Sequence, residues 1–188
     1  MVVRVGIVGA GIMGADHALT VQRFVSGAEV SLLADPDLQR ARVAADAAGA
    51  RAVDDPFSLV ASDEVGAVVV ASPDATHPAL VRACVEAGKP VLCEKPLSPT
   101  LADSAALLDD LGEHASLVSL GFMRRFDPGY TDLRATVVAS TVGAPVVVHS
   151  TGRGVSSAPG ATSSPPSRTP LSTTSTSSRG CSARPSPT

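Results

Sequence analysis

The sequence predicts an α/β fold with a doubly wound parallel sheet, and two observations on its first 122 residues carry that prediction. Apolar, β-branched runs alternate with helix-length segments, beginning with 2–8 and 28–34, and the first run leads into a glycine-rich turn at 9–14. Such alternation indicates parallel strands joined by right-handed helical crossovers. Residues that follow the strands should then meet at one edge of the sheet, where ligands bind in folds of this kind.

The remaining elements follow the same alternation. The run 65–71 is continuously apolar, which is typical of a parallel strand covered on both faces. Further strands are predicted at 51–54, 89–93 and 115–121. Helices are predicted after Gly14 and at 36–50, 56–62, 79–88 and 100–112, with a loop at 72–78. Residues 1–122 are therefore predicted to form one domain.

The turn reads Gly9-Ala-Gly11-Ile12-Met13-Gly14, and an acidic residue, Asp35, lies 21 residues after its last glycine. A lone G-x-G-x-x-G is equally consistent with a strand–turn–helix connection that binds no nucleotide. The preceding strand, the following helix and Asp35 complete the dinucleotide-binding fingerprint of a Rossmann domain. In that interpretation Gly9 makes the tight turn, Gly11 lets the backbone approach a pyrophosphate, and Gly14 lets the helix lie close to the sheet. A carboxylate at Asp35 accepts hydrogen bonds from ribose hydroxyls and repels a 2′-phosphate, which favours NAD over NADP.

Composition excludes several other classes of protein. The 188 residues carry a net charge of −3, which gives no electrostatic footprint for nucleic acid. The sequence predicts neither a signal peptide nor a membrane span. Cys84, Cys93 and Cys181 have no metal-binding or disulfide spacing, so no metal is expected and a cytoplasmic location is predicted.

Two further motifs resemble a known family. Glu94-Lys95-Pro96 follows the fifth major strand and resembles the Gfo/Idh/MocA oxidoreductases. Residues 121–130, Gly-Phe-Met-Arg-Arg-Phe-Asp-Pro-Gly-Tyr, resemble the inositol 2-dehydrogenase branch of that family, and the whole resemblance covers about 2–153. It implies oxidation of a secondary alcohol of myo-inositol or a related cyclic polyol by hydride transfer to NAD. A sugar or dihydrodiol substrate stays open, because Glu-Lys-Pro is shared across the family.

The resemblance also implies roles for individual residues. Lys95 would act as the base and contact substrate, its pKa lowered by desolvation and by the nicotinamide charge; alternatively it is a surface lysine paired with Glu94. The cofactor site is expected to comprise Gly9, Gly11, Ile12, Met13, Gly14, Asp35, Ser72, Pro73, His77 and Glu94.

The sequence leaves the roles of four side chains less certain. His77 is equally consistent with a residue that merely begins a helix before Pro78. His17, on the first helix, is expected to be half-buried packing. Met123 and Arg124 would line the substrate pocket, although the sequence does not decide between Arg124 and its neighbour Arg125.

Beyond residue 122 the pattern changes. A helix at about 127–140 and a strand at 144–150 would begin an incomplete α+β substrate domain over 123–153. Residues 154–188 are rich in Ser, Thr and Pro, and are expected either to be a disordered tail or to be translated out of frame. The family's Asp-x-x-x-His pair does not occur after Gly121. Two functions therefore stay open: a polyol dehydrogenase with impaired turnover, whose homo-oligomeric assembly is doubtful, or an NAD-binding protein without turnover.

Overall fold

The structure is a computed structural model that describes residues 2–144, 146 and 147. These residues divide into two compact units, with the boundary between Phe122 and Met123. Each unit is described by itself below.

The first unit is built on a six-stranded sheet in which every neighbouring pair of strands is parallel. The strands are β1 (Val3–Val8), β2 (Ala28–Ala34), β3 (Arg51–Val53), β4 (Ala67–Val70), β5 (Val91–Cys93) and β6 (Val118–Leu120). The helices are α1 (Ile12–Phe24), α2 (Leu38–Ala48), α3 (Pro56–Ala61), α4 (His77–Glu86) and α5 (Leu101–Leu111). The spatial order β3-β2-β1-β4-β5-β6 reverses direction between β1 and β4. That order confirms the predicted doubly wound Rossmann sheet.

Two apolar clusters cover the two faces of the sheet. Successive residues of a strand point to opposite faces, and Ile7 accordingly belongs to one cluster and Val8 to the other. The cluster of Ile7 contains the buried alanines of α2, and the cluster of Val8 contains apolar side chains of α3, α4 and α5. Helices on both faces explain why strands such as 65–71 are continuously apolar.

The predicted boundaries differ from the structure in two places that concern the site. Helix α4 begins at His77, inside the predicted loop, and a 3-10 turn at Asp74–Thr76 precedes it. Pro78 is tolerated there because the first turn of a helix needs no backbone N–H donor at that position. The strand predicted at 115–121 is reduced to β6, because Gly112–Leu117 forms a 3-10 helix.

The second unit contains a 3-10 turn at Met123–Arg125 and helix α6 (Pro128–Val138). The Asp127 carboxylate accepts a hydrogen bond from the N–H of Tyr130 and so caps α6. Of the strand predicted at 144–150, residues 145 and 148–150 lie outside the described residues, as does the whole of 154–188. None of the helices described here has the length and apolar character needed to cross a membrane.

The glycine turn provides a matched pair of substitutions for testing the packing of α1. A Cβ on Gly14 would collide with the carbonyl oxygen of Gly9, whereas a Cβ on Gly11 would meet nothing within 4 Å. Gly14→Ala should lower the free energy of unfolding by about 2–3 kcal/mol, because a backbone carbonyl cannot rotate out of the way. Gly11→Ala should cost less than about 1 kcal/mol. Urea denaturation measures both values, and equal losses would contradict this account of the turn.

Candidate functional site

The candidate site lies at the carboxyl edge of the sheet of the first unit. Four loops reach this edge because the four strands that precede them are parallel: they follow β1, β2, β4 and β5. They carry the glycine turn, Asp35, the Ser72 loop and the Glu94-Lys95-Pro96 segment. The residues that the sequence assigns to the cofactor therefore come from loops on both sides of the switch between β1 and β4.

The glycine turn forms an open cradle at the start of α1. Gly9 has a φ of +99°, and a Cβ there would lie 2.7 Å from the carbonyl oxygen of Ala71, so only glycine fits. Gly11 is the N-cap of α1, no side chain caps that end of the helix, and the space around its Cα is open. Ile12 is 91% exposed and Met13 is 42% exposed. Backbone N–H groups at an uncapped helix N-terminus suit an anion such as a pyrophosphate.

Asp35 is buried at the end of β2 and ties the glycine turn in place. One carboxylate oxygen accepts the N–H of Ala10 at 2.8 Å, and the other accepts the N–H of Asp37 at 2.9 Å and an Arg40 guanidinium N–H at 2.7 Å. A carboxylate has about four acceptor positions, so these bonds leave about one. Asp35 therefore has an intramolecular role besides the ribose contact predicted from the sequence.

These hydrogen bonds also determine the ionisation of Asp35. Burial raises its pKa, but the hydrogen bonds from Arg40, Ala10 and Asp37, together with the Arg40 charge, outweigh burial and leave the pKa below its ordinary value. The Asp35 carboxylate is consequently ionised at neutral pH.

His77 joins two of the loops. Its ring is 1% exposed, with Nδ1 2.7 Å from the carbonyl oxygen of Pro96 and Nε2 2.8 Å from that of Ser72. Both ring nitrogens thus face carbonyl groups of the protein. The geometry assigns His77 to holding these loops together, and a direct contact between its ring and a ligand stays a prediction. Ser72 and Pro73 remain at the surface of the loop, where Ser72 Oγ lies 2.6 Å from Thr76 Oγ1.

Glu94 holds two hydrogen bonds at the end of β5. Oε1 lies 2.9 Å from His17 Nε2, and Oε2 accepts the N–H of Lys95 at 3.3 Å. His17 is half-buried as expected, and it does more than pack, because its ring nitrogen reaches a carboxylate 77 residues away in sequence. Its position, three residues after the buried Gly14, was the available signal, since residues i and i+3 share a helix face.

Lys95 lies beyond the end of β5 with an exposed side chain. The residue follows the strand and is not within it, and its role as the base stays a prediction. Within residues 2–144, 146 and 147, no ion pair involves Lys95. The other lysine of the sequence, Lys89, donates to the carbonyl oxygens of Val60 and Ser62.

The two residues expected to line the substrate pocket belong to the second unit. The Met123 side chain is 52% exposed. The Arg124 guanidinium donates to the Asp127 carboxylate at 3.1 Å and lies 5.4 Å from the centre of the Tyr130 ring. Such a cation–π contact fixes the direction of the guanidinium.

Cysteine and metal chemistry have no support in the described part of the chain. Burial raises the pKa of both Cys84 and Cys93 to about 12, so neither thiol is a nucleophile at neutral pH. No group of three potential metal ligands occurs among the described residues.

The glycine turn, Asp35 and the Glu94-Lys95-Pro96 segment lie in the part of the chain that matches a family model. Residues 3–122 match the Gfo/Idh/MocA oxidoreductase family, whose model describes an NAD-binding Rossmann fold. The chain belongs to this family. The resemblance drawn from Glu94-Lys95-Pro96 is thereby confirmed, and so is the assignment of an NAD-binding Rossmann domain.

Curated proteins are similar to this chain over part of their length. The chain is 51% identical over 168 residues to inositol 2-dehydrogenase 2 of Paenarthrobacter aurescens (strain TC1), covering 87% of this chain and 50% of that protein. It is 51% identical over 152 residues to inositol 2-dehydrogenase 1 of Saccharopolyspora erythraea, covering 79% and 45%. The chain thus spans about half the length of the curated relatives it matches.

Solved structures are also similar to this chain over part of their length. A myo-inositol dehydrogenase from Corynebacterium glutamicum superposes with a TM-score of 0.71 at 36% identity, over 76% of this chain and 43% of that one. A myo-inositol dehydrogenase from Lactobacillus casei in complex with NAD(H) and myo-inositol gives a TM-score of 0.72 at 33% identity, over 77% and 44%.

The hydrogen bonds of Asp35 predict a pH-dependent contribution to stability. Because its folded-state pKa is lowered, the contribution is present above the ordinary aspartate pKa of about 3.9 and is lost as the pH falls through the folded-state value. Asp35→Asn should lower the free energy of unfolding by about 1–3 kcal/mol at pH 7. The difference from wild type should shrink below about pH 4.

Urea denaturation between pH 7 and pH 3 measures this difference. Asp55→Asn is the matched control, because Asp55 is an exposed helix N-cap and Asn caps as well as Asp. A difference between wild type and Asp35→Asn that stays constant down to pH 3 would contradict the proposed electrostatic role.

Proposed function

We propose that this chain is an NAD-dependent oxidoreductase that oxidises a secondary alcohol of myo-inositol or a related cyclic polyol, with impaired turnover. The observation that carries the proposal is the meeting, at one edge of the sheet, of the glycine cradle, Asp35 and the Glu94–Lys95 segment. The names of the similar relatives support the inositol substrate class, and the NAD(H) bound in the Lactobacillus casei complex supports NAD as cofactor.

The residues present fit NAD. Gly11 leaves room for the backbone to approach a pyrophosphate, and Ile12, Met13 and Gly14 supply the first N–H groups of α1. Asp35 has about one acceptor position left for an adenosine ribose hydroxyl. Ser72, Pro73 and Glu94 would border the other half of the cofactor. Bound NAD would supply the hydride acceptor.

Lys95 would take the proton of the alcohol as its C–H hydride leaves. A lysine accepts a proton only as the neutral amine, and a bound substrate and cofactor beside Lys95 would exclude the water that stabilises its charged form. Met123 and Arg124 would contact the substrate hydroxyls. We also propose a cytoplasmic location, without nucleic-acid or membrane partners.

A second candidate, an NAD-binding protein without turnover, is favoured by one feature of the sequence. The Asp-x-x-x-His pair that joins the lysine in the family does not occur after Gly121. The first 122 residues suffice for such a binder, whereas a dehydrogenase needs a second acid/base group. A sugar or dihydrodiol substrate is the third possibility, within the first class.

Binding and turnover measured on the same chain distinguish these functions. NADH fluorescence titration should give saturable binding, with NADPH at least about tenfold weaker because Asp35 repels a 2′-phosphate. Gly11→Ala should weaken NADH binding without a comparable loss of stability. NADH formation from NAD and myo-inositol should be slow, and Lys95→Met should abolish it while NADH binding is retained.

The outcomes of this experiment support or contradict these proposals separately. NADH binding without any turnover on polyols, sugars or dihydrodiols would favour the non-catalytic binder. Turnover that survives Lys95→Met would contradict the role of Lys95. Absence of NADH binding would contradict both proposals.

The hypothesis that 154–188 is translated out of frame is tested by the gene. We expect the nucleotide sequence across codons 150–188, and several hundred bases beyond, to hold an open shifted frame that encodes Asp-x-x-x-His and then a further sheet. A closed frame would contradict the hypothesis and would mean that the Ser/Thr/Pro segment is genuine.

A further inference from the structure

One contact joins helix α1, which begins at the glycine cradle, to the segment that carries Lys95. It is the 2.9 Å contact between His17 Nε2 and Glu94 Oε1. We propose that His17 is a positioning residue that fixes the Glu94 carboxylate for the nicotinamide-nucleoside half of the cofactor site. This inference rests on the proposed binding of NAD, and it assigns to His17 a role that is distinct from packing.

The Glu94 carboxylate depends on His17 for its orientation. The side chain of Glu94 is only 12% exposed, and a carboxylate withdrawn from water needs hydrogen-bond donors. Its other described donor, the N–H of Lys95, lies at the longer distance of 3.3 Å. Because a carboxylate only accepts, His17 Nε2 must carry the hydrogen, and either the neutral Nε2–H tautomer or the charged ring satisfies this.

The packing around Glu94 leaves little freedom for another orientation. The N–H of Glu94 donates to the carbonyl oxygen of Val70 at 2.8 Å, which fixes its backbone to the end of β4. A Cβ on Gly121 would lie 3.1–3.2 Å from the carboxyl group, so the absence of a side chain there provides the space that the carboxylate fills. The carboxylate therefore fills the space beside Gly121, where His17 bonds one of its oxygens.

The place of Glu94 in the sheet indicates which half of a dinucleotide it serves. Asp35 follows β2 and Glu94 follows β5, and these strands lie on opposite sides of the switch between β1 and β4. A dinucleotide that crosses this switch places one nucleoside on each side. Two of about four acceptor positions of Glu94 are occupied by His17 and Lys95, so about two remain for hydroxyl donors.

Two amide variants of His17 separate positioning from packing. Gln can place its amide nitrogen near the position of His Nε2 and keep the hydrogen bond to Glu94, whereas Asn is too short to reach it. His17→Asn should weaken NADH binding by at least about tenfold, the effect of losing a hydrogen bond to a charged group. His17→Gln should stay within about threefold of wild type. ADP, which lacks the nicotinamide nucleoside, should bind all three proteins within about twofold.

Fluorescence titration with NADH and calorimetric titration with ADP supply the two affinities, and urea denaturation confirms that each variant is folded. Equal losses for NADH and ADP in His17→Asn would overturn the inference, because they indicate general damage to the fold. Unchanged NADH affinity in His17→Asn would overturn it as well. Should His17→Asn fail to fold, Glu94→Gln provides the same NADH-against-ADP comparison.

The failure of the proposed function has a different signature. If the wild-type chain binds ADP but not NADH, or binds neither, the proposed NAD site is wrong and the inference is overturned with it. If the wild-type chain binds NADH and the two His17 variants do not differ, only the inference is overturned.

Discussion

The hydrogen bond from the Ala10 N–H to the buried Asp35 carboxylate is the constraint on which the site depends. At 2.8 Å it fixes the glycine turn after β1 to the residue that follows β2, so the cradle and its acidic neighbour cannot move independently. Because the bond is charge-assisted and shielded from water, its loss would leave an N–H without a partner in the turn. The turn in this position requires the positive φ of Gly9 and brings Gly14 close to the carbonyl oxygen of Gly9.

Similar side-chain hydrogen bonds join other loops along the carboxyl edge of the sheet. His77 bridges the loops after β4 and β5 through two carbonyl oxygens, and His17 reaches the end of β5 from α1. These loops are thereby held to neighbouring elements by polar side chains that are at least partly buried. Loops have few apolar contacts of their own, so such hydrogen bonds supply the order that the hydrophobic core supplies to the strands.

The sequence was sufficient for the sheet and the glycine turn, because both are encoded locally. The alternating apolar runs specify strands, and other residues are excluded at Gly9 by its positive φ and at Gly14 by the nearby carbonyl oxygen of Gly9. The partners of His17 and His77 could not be predicted, because they are set by crossovers that bring residues distant in sequence to one edge. The sequence left the exposure of Lys95 open for a related reason, because a residue one position beyond a buried strand need not share the burial of that strand. The short extent of β6 was missed because a 3-10 helix competes for the same residues.

Along the carboxyl edge of the sheet, hydrogen-bond donors lie between two groups of hydrogen-bond acceptors. Carboxylates with unused acceptor positions lie on the β2 and β5 sides, and the uncapped N-terminus of α1 supplies donors at the turn after β1. A ligand complementary to this order has hydroxyl groups at both ends and an anionic group in between, which describes a dinucleotide better than a mononucleotide or an inorganic anion. A mononucleotide bound at Asp35 and the glycine turn would not reach Glu94, which His17 orients. Partial burial of the His17–Glu94 pair costs desolvation free energy, and an apolar pair would pack as well. A ligand that extends to β5 therefore best explains why a polar pair is found there.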